Sequence, residues 1–376
     1  MEHYLDNSAT TAVCPEAVEA AVKAMTESYG NPSSTHTKGR EAKKLLDAAR
    51  KQVADALGCT SAELVFTSCG SESDNWAILY GAELMKRKGN HIISSAVEHD
   101  AVRKALDILE SRGFRVTRLM PDKSGAISVQ SVLDALSADT ILVSLMLVNN
   151  ETGAVTDIAA IAKAIRKAGS QALIHTDAVQ AFTKIPFSAK SLGADMISIS
   201  GHKIHAPKGI GALYIRSGLK LKPFISGGAQ ENGRRAGTEA MPQIAAFGAA
   251  SKAAMDKRDE HIAHMCALRD MTVKILSENI PEMELINAQA PHILSISLPG
   301  WRSEVLINYL EAQGVFVSKS SACKKGARSH VLEAMGLSPR VIDGAIRIGF
   351  SRFSTEEDVK ALCEGLIAAR NQLSHR

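Results

Sequence analysis

Short runs of apolar and β-branched residues recur along the first two-thirds of the chain, each followed by a polar loop and then a stretch with helical spacing. Glu63-Leu-Val-Phe-Thr67, His91-Ile-Ile-Ser-Ser95, Phe114-Arg-Val-Thr-Arg-Leu119, Thr140-Ile-Leu-Val-Ser-Leu-Met-Leu147, Ala172-Leu-Ile-His-Thr176 and Asp195-Met-Ile-Ser-Ile-Ser200 read as strands. Between several of them, Ser73 to Lys88, Ala101 to Arg112 and Ile158 to Ala168 read as helices. This alternation predicts an α/β fold with a mostly parallel sheet between helices. Ligands of such sheets gather beyond the carboxyl ends of the strands. The loops after Thr67, Ser95, Leu147, Thr176 and Ser200 are therefore where chemistry is expected.

After about Gly237 the rhythm changes. An Ala- and Met-rich helical stretch runs to about Leu276, interrupted by the charged Asp256-Lys-Arg-Asp-Glu260. Strand-like His292 to Leu298, a helix near Ser303 to Gln313, a strand near Gly314 to Ser318, strand-like Ala345 to Phe350 and a final helix from Thr355 follow. The pattern predicts a smaller α/β domain sharing one long helix with the larger one. Expected boundaries are 15–255 for the large domain, with 1–14 and 256–376 forming the small one.

Composition narrows the function classes. A chain of 376 residues, 45% apolar and 22% charged, can build a core in each of roughly two domains. A net charge of +4 is too mild to indicate nucleic acid, and with 4% aromatics nothing interleaves the Lys324-Lys325 pair. The longest apolar run is strand-sized, and the N-terminus has no basic region followed by an apolar stretch. A cytoplasmic address with no membrane or nucleic-acid partner is expected. The six cysteines are scattered without a Cys-x-x-Cys pair, which argues against a zinc ribbon or resident iron–sulfur ligands. His261, His264 and Cys266 have helical spacing, but an amphipathic face explains them without a metal. Neither a P-loop nor a dinucleotide fingerprint is present.

The candidate chemistry sits where the strands end. Lys203, in Ser200-Gly-His-Lys203, can point into the crevice, and a desolvated amine there can bond covalently to a carbonyl cofactor; the ordinary alternative is a solvated loop lysine. Asp177 ends another apolar strand, where it can pair with a protonated pyridine nitrogen or simply cap a helix. Cys69-Gly-Ser-Glu72 turns a strand into a helix and offers backbone amides and the Ser71 hydroxyl to a phosphate. His99 can stack on a ring and exchange protons, or be a satisfied structural histidine. Asn150 and Gln180 can bond ring substituents or tie loops together. Cys323 lies in Ser318-Lys-Ser-Ser-Ala-Cys-Lys-Lys-Gly-Ala-Arg328, a basic, small-residue loop that favours the attacking thiolate.

Taken together these residues resemble the cysteine desulfurase family, in the class V branch of the fold-type I pyridoxal-phosphate (PLP)-dependent transferases. The resemblance runs through Tyr4-Leu-Asp-Asn-Ser-Ala-Thr-Thr11, Tyr29-Gly-Asn-Pro-Ser-Ser34, Thr67-Ser-Cys-Gly-Ser-Glu-Ser-Asp-Asn75 and Val148-Asn-Asn-Glu151. It continues through His175-Thr-Asp-Ala-Val-Gln180, Ser200-Gly-His-Lys203, Arg235-Ala-Gly-Thr238, Ser321-Ala-Cys323 and Ser351-Arg-Phe353. It implies that Lys203 binds pyridoxal 5'-phosphate and later moves the Cα proton. Asp177 would pair with the ring nitrogen, Gln180 with the ring oxygen, and His99 would stack on the ring. Gly70, Ser71, Ser200 and His202 would bind the phosphate, with Thr238 reaching the phosphate of the other subunit in a homodimer. Asn150, Arg352 and Asn7 would hold the carboxylate of L-cysteine. The Cys323 thiolate would take the substrate sulfur as a persulfide, releasing alanine, and pass it to a protein sulfur acceptor in iron–sulfur cluster assembly or in tRNA or cofactor thiolation. A cluster under assembly would contact Cys323 only transiently. The competing readings are a selenocysteine lyase or another class V β-eliminase, and a catalytically silent homodimeric scaffold. Cys69 stands where the family has glycine, a position at which a left-handed backbone would strain any other residue.

Overall fold

The computed structural model describes residues 2–320 and 328–373. Its strands are β1 (His3–Tyr4), β2 (Leu64–Thr67), β3 (His91–Ser95), β4 (Arg115–Leu119), β5 (Thr140–Ser144), β6 (Leu173–Asp177), β7 (Met196–Ser200), β8 (Gly211–Ile215), β9 (Glu284–Asn287), β10 (Ile293–Ser297), β11 (Val315–Phe316), β12 (Ser318–Lys319) and β13 (Ala345–Gly349). Seven of them form one sheet in the order β2-β8-β7-β6-β5-β3-β4. All run parallel except β8, which is antiparallel to both β2 and β7. The six strands expected in this region are all present, each within a few residues of its expected bounds. β8 was not anticipated: Gly-Ala-Leu-Tyr-Ile is short, buried throughout and follows Pro207-Lys-Gly209, so it carries no alternation that would mark a strand.

Helices cover both faces of this sheet. On one side Gly70–Met85 and Asp100–Ser111 bury Trp76, Ile78, Val102 and Leu106 against Ile92, Leu142 and Met196. On the other, Ile158–Lys167 turns Ile161 and Ile165 towards Ile174 and Ile197. A second sheet, β12-β13-β10-β9, has its own core, in which Leu294, Ile296, Ile346 and Ile348 meet Leu306 and Leu362. The strand expected near Gly314 to Ser318 is divided in two. β11 pairs in parallel with β1, and β12 joins the edge of β13.

The long shared helix is likewise two helices, Met241–Asp256 and Arg258–Asn279, broken where Lys257 takes φ −133° and ψ 35°. The reason is packing. The first lies against Pro15–Thr26 and Thr37–Leu57, the second against Glu356–Gln372, so the charged run at the break turns the chain from one core to the other. Among the described residues no helix is long and apolar enough to cross a membrane.

One buried ion pair fixes the loop that carries Arg235 and Thr238. Glu231 accepts from Arg50 Nη1 and Nη2 at 2.7 and 2.6 Å and from the Phe66 amide at 2.9 Å. Glu231→Ala strands a largely buried guanidinium and an amide at the edge strand β2. It should cost about 3–5 kcal/mol, read as a lowered urea midpoint, because breaking one half of a buried pair leaves the other uncompensated.

Candidate active site

The carboxyl ends of β2, β3, β5, β6 and β7 open into one cavity of about 290 Å³, lined among others by Gly70, Ser71, His99, Asn150, Asp177, Gln180, Ser200, His202 and Lys203. Each arrives by a short local device. After β2 the chain turns directly into the Gly70–Met85 helix, whose first turn presents free amides to the cavity. Gly70 is required by packing, since a Cβ there would come within 2.7 Å of Val179 Cγ2. Cys69, the residue before it, has φ −173° and ψ 173°, extended backbone that any residue adopts, so the strain expected at this position does not arise.

After β3, Glu98 is buried and accepts from Ser95 Oγ at 2.5 Å and the Met146 amide at 3.1 Å, tying the ends of β3 and β5 together. Burial pushes its carboxyl up to about 8. His99 beside it caps the following helix: its Nδ1 accepts from the Ala101 amide at 3.1 Å, which leaves Nε2 to carry the ring proton.

β6 delivers Asp177, which accepts from the Val179 amide at 2.9 Å. Burial first, and then the neighbouring Asp74 carboxylate, push its affinity for a proton up. Behind it His175 spans Ser144 Oγ and Ser198 Oγ at 2.9 and 3.0 Å, its pKa lowered to about 4 by burial. β7 ends in a single tight turn, Gly201–Lys203. This aims Lys203 at the N-terminal segment, where Nζ donates to the carbonyls of Ser8 and Ala9, both at 2.7 Å. Burial, reinforced by the Arg347 charge, lowers the Lys203 amine to about 8.

The N-terminal segment forms one wall. It leaves β1 beside β11, and the Ser8 carbonyl also accepts from Gln180 Nε2 at 2.8 Å. Thr11 Oγ1 donates to the His202 carbonyl at 2.9 Å, and His202 Nδ1 meets Thr10 Oγ1 at 3.2 Å.

Two expected substrate ligands are elsewhere. Asn7 donates through Nδ2 to the carbonyls of Tyr4 and Gly349 at 3.0 and 2.9 Å and does not line the cavity. Arg352 lines a different, smaller cavity and stacks on Phe353 at 4.9 Å. The arginine that does line the active cavity is Arg347 on β13, a residue the sequence reading passed over. It is buried, with Nη1 donating to the Asn150 carbonyl at 2.7 Å and Nη2 paired with Asp6 at 3.0 Å. A lone arginine inside the apolar Ala345-Ile-Arg-Ile-Gly-Phe350 was the available signal, because a charge in a buried strand needs a task. Thr238 is exposed and away from this cavity. Cys323 lies outside the described residues.

Ser8 Oγ, Gln180 Oε1 and Ser200 Oγ are among the buried polar atoms of the cavity-lining residues that have no hydrogen-bond partner among the described residues. Buried polar atoms are ordinarily paired, so these await a polar ligand. Amides at a helix start suit a phosphate, a carboxylate short of a cation suits a pyridinium, and a desolvated amine suits an aldehyde. Pyridoxal phosphate, the cofactor implied by the resemblance, fits this donor set. With Lys203 lowered to about 8, the reactive neutral amine gains tenfold per pH unit below that value. The rate at which the cofactor-free protein captures pyridoxal phosphate, followed by visible absorbance, should therefore rise with pH and level off above about 8.

Known proteins give the same reading. The chain is 42% identical over 366 residues to a cysteine desulfurase of Nostoc sp., covering 96% of this chain and 91% of that one. It is equally similar to a cysteine desulfurase of Methanosarcina thermophila, covering 96% and 90%. A solved structure of a NifS-like protein superposes with a TM-score of 0.94 at 36% identity, covering 99% of this chain and all of the other. The aminotransferase class-V family model matches residues 3–362, and with its strand-end lysine, aspartate and histidine gathered in one cavity, the chain belongs to that family.

Proposed function

We infer that the protein is a pyridoxal-phosphate-dependent cysteine desulfurase, converting L-cysteine to L-alanine and delivering the sulfur to an acceptor. The observation that carries this is the joint placement of Lys203, Asp177, His99 and Arg347 around one cavity with unpartnered polar atoms, in a chain 42% identical to cysteine desulfurases.

Lys203, Asp177, Gln180 and His99 hold the cofactor ring, and Gly70, Ser71, Ser200 and His202 hold its phosphate. Bound there, pyridoxal phosphate supplies an electron sink that stabilises negative charge beside the substrate's Cα. Asp177, already short of a positive neighbour, keeps the ring nitrogen protonated. Arg347 and Asn150 orient the substrate: the Arg347 fork grips the carboxylate, and Asp6 and the Asn150 carbonyl hold that fork in place. Lys203, which would hold the cofactor's aldehyde, is also the amine placed to move the proton from the substrate's Cα. The Cys323 thiolate attacks the substrate sulfur: an S–S bond forms as the Cβ–S bond breaks, and the carbon fragment keeps the bonding pair, takes a proton at Cβ, regains one at Cα and leaves as alanine. The thiols of Cys59 and Cys363 are pushed up to about 12 chiefly by burial, which makes them poor nucleophiles by comparison.

We further propose a homodimer in which Thr238 completes the partner's phosphate site. Its exposure supports this, as does the outer face of Pro15–Thr26, where Val18, Val22 and Met25 are 48%, 46% and 55% exposed at helical spacing. The proposed domain division, 15–255 and 1–14 plus 256–376, is supported by the separate core around the second sheet, and a cytoplasmic site of action suits a thiol-bearing sulfur donor.

Mass spectrometry after incubation with L-cysteine should find one added sulfur on Cys323, with alanine formed in step. Undiminished alanine production by Cys323→Ala would transfer the assignment to a lyase.

A further inference from the structure

Lys203 also lines a second cavity, of about 30 Å³, shared with Thr11, Thr183, Lys184, His205, Ser351 and Arg352. That is enough for a single small occupant, since a water needs on the order of 10–15 Å³. Two cationic donors on its wall are unsatisfied. Lys184 is only 8% exposed, and its Nζ has no hydrogen-bond partner among the described residues. Arg352 Nη1 is likewise buried and unpartnered. No aspartate or glutamate is among the described lining residues.

The surroundings make this imbalance worse. Burial lowers the Lys184 amine to about 7, and the charges of Lys203 and Arg347 add to the effect. Thr11 cannot help, because its hydroxyl already donates to the His202 carbonyl and accepts from the His205 amide at 2.9 Å each. The backbone is strained around the same space: Thr183 and His205 sit at φ +63° and +68°, two of the four non-glycine residues with positive φ among those described. A β-branched residue adopts that region only when its surroundings compel it. A water could accept from both donors, but it would leave the Lys184 amine largely unprotonated and the Arg352 guanidinium with no carboxylate nearer than the exposed Glu16, which does not line the cavity.

We propose that this cavity binds one small monovalent inorganic anion of the halide class, held between the Lys184 ammonium and the Arg352 guanidinium. The anion supplies a negative charge that the cavity wall itself lacks and holds Lys184 as the ammonium, directly behind Lys203. The assignment does not depend on the desulfurase reading.

Crystals of the cofactor-loaded protein soaked in sodium bromide should show a bromine anomalous peak within hydrogen-bonding reach of Lys184 and Arg352, absent from Lys184→Met. In solution, exchanging gluconate for chloride at constant ionic strength should raise the melting temperature of the wild type by a few degrees in a saturable manner and leave Lys184→Met unmoved. A water without anomalous signal, or a melting temperature indifferent to chloride, overturns the proposal, as does a halide effect confined to the concentration of the soak. Should Lys184→Met fail to fold, Arg352→Gln replaces it, and the wild-type crystals decide by themselves.

Discussion

Lys203→Ala should lower alanine formation from L-cysteine by roughly four orders of magnitude, the upper end of what a positioned proton-transfer group contributes. Two losses combine. The variant cannot attach the cofactor covalently, and no other described amine lines the active cavity to move the Cα proton. Cofactor should still bind non-covalently, because Asp177, Gln180 and the helix amides are untouched, and so dialysis should strip it from the variant but not from the wild type. Retained folding is expected as well. The wild-type amine sits desolvated with its pKa lowered to about 8, so its removal relieves a burial penalty while giving up two bonds to backbone carbonyls. A variant retaining a tenth of wild-type activity would remove Lys203 from the chemistry.

The second large effect separates two arginines. Arg347→Gln should reduce kcat/KM by about two to three orders of magnitude, chiefly through KM, the usual cost of losing one side of a buried charge pair with a substrate. Asp6 keeps the Ser318 hydroxyl at 2.8 Å in that variant, so the fold should tolerate the change. Arg352→Gln should stay within about threefold of wild type, since that guanidinium lines the smaller cavity and packs on Phe353. Steady-state kinetics with L-cysteine decides; a reversed ranking would return the carboxylate to Arg352.

The different placement of Arg347 and Arg352 marks where sequence reasoning was strong and where it ran out. Lys203, Asp177, His99, Gln180 and Ser200 were legible because each follows a recognisable strand, and strand ends in parallel sheets converge on one crevice. Arg347 was harder, because its strand lies in the other sheet and only the fold brings it beside Asn150. Asn7 and Arg352 have suitable side chains in suitable motifs, yet one is spent on two carbonyls and the other turns to a neighbouring cavity; neither fact has a sequence signature. The antiparallel β8 and the break at Lys257 were missed for a related reason. Periodicity reports which face of an element is buried, but not which way a fully buried strand runs or which of two cores a helix serves.

The oxygens that receive the Lys203 amine belong to the peptide backbone of Ser8 and Ala9. Every amino acid brings the same carbonyl, so an alanine scan across these positions would report them as silent. Only a proline, a deletion or a peptide-to-ester replacement would expose them. For this segment, tolerance to ordinary mutation is no measure of how closely it touches the reacting nitrogen.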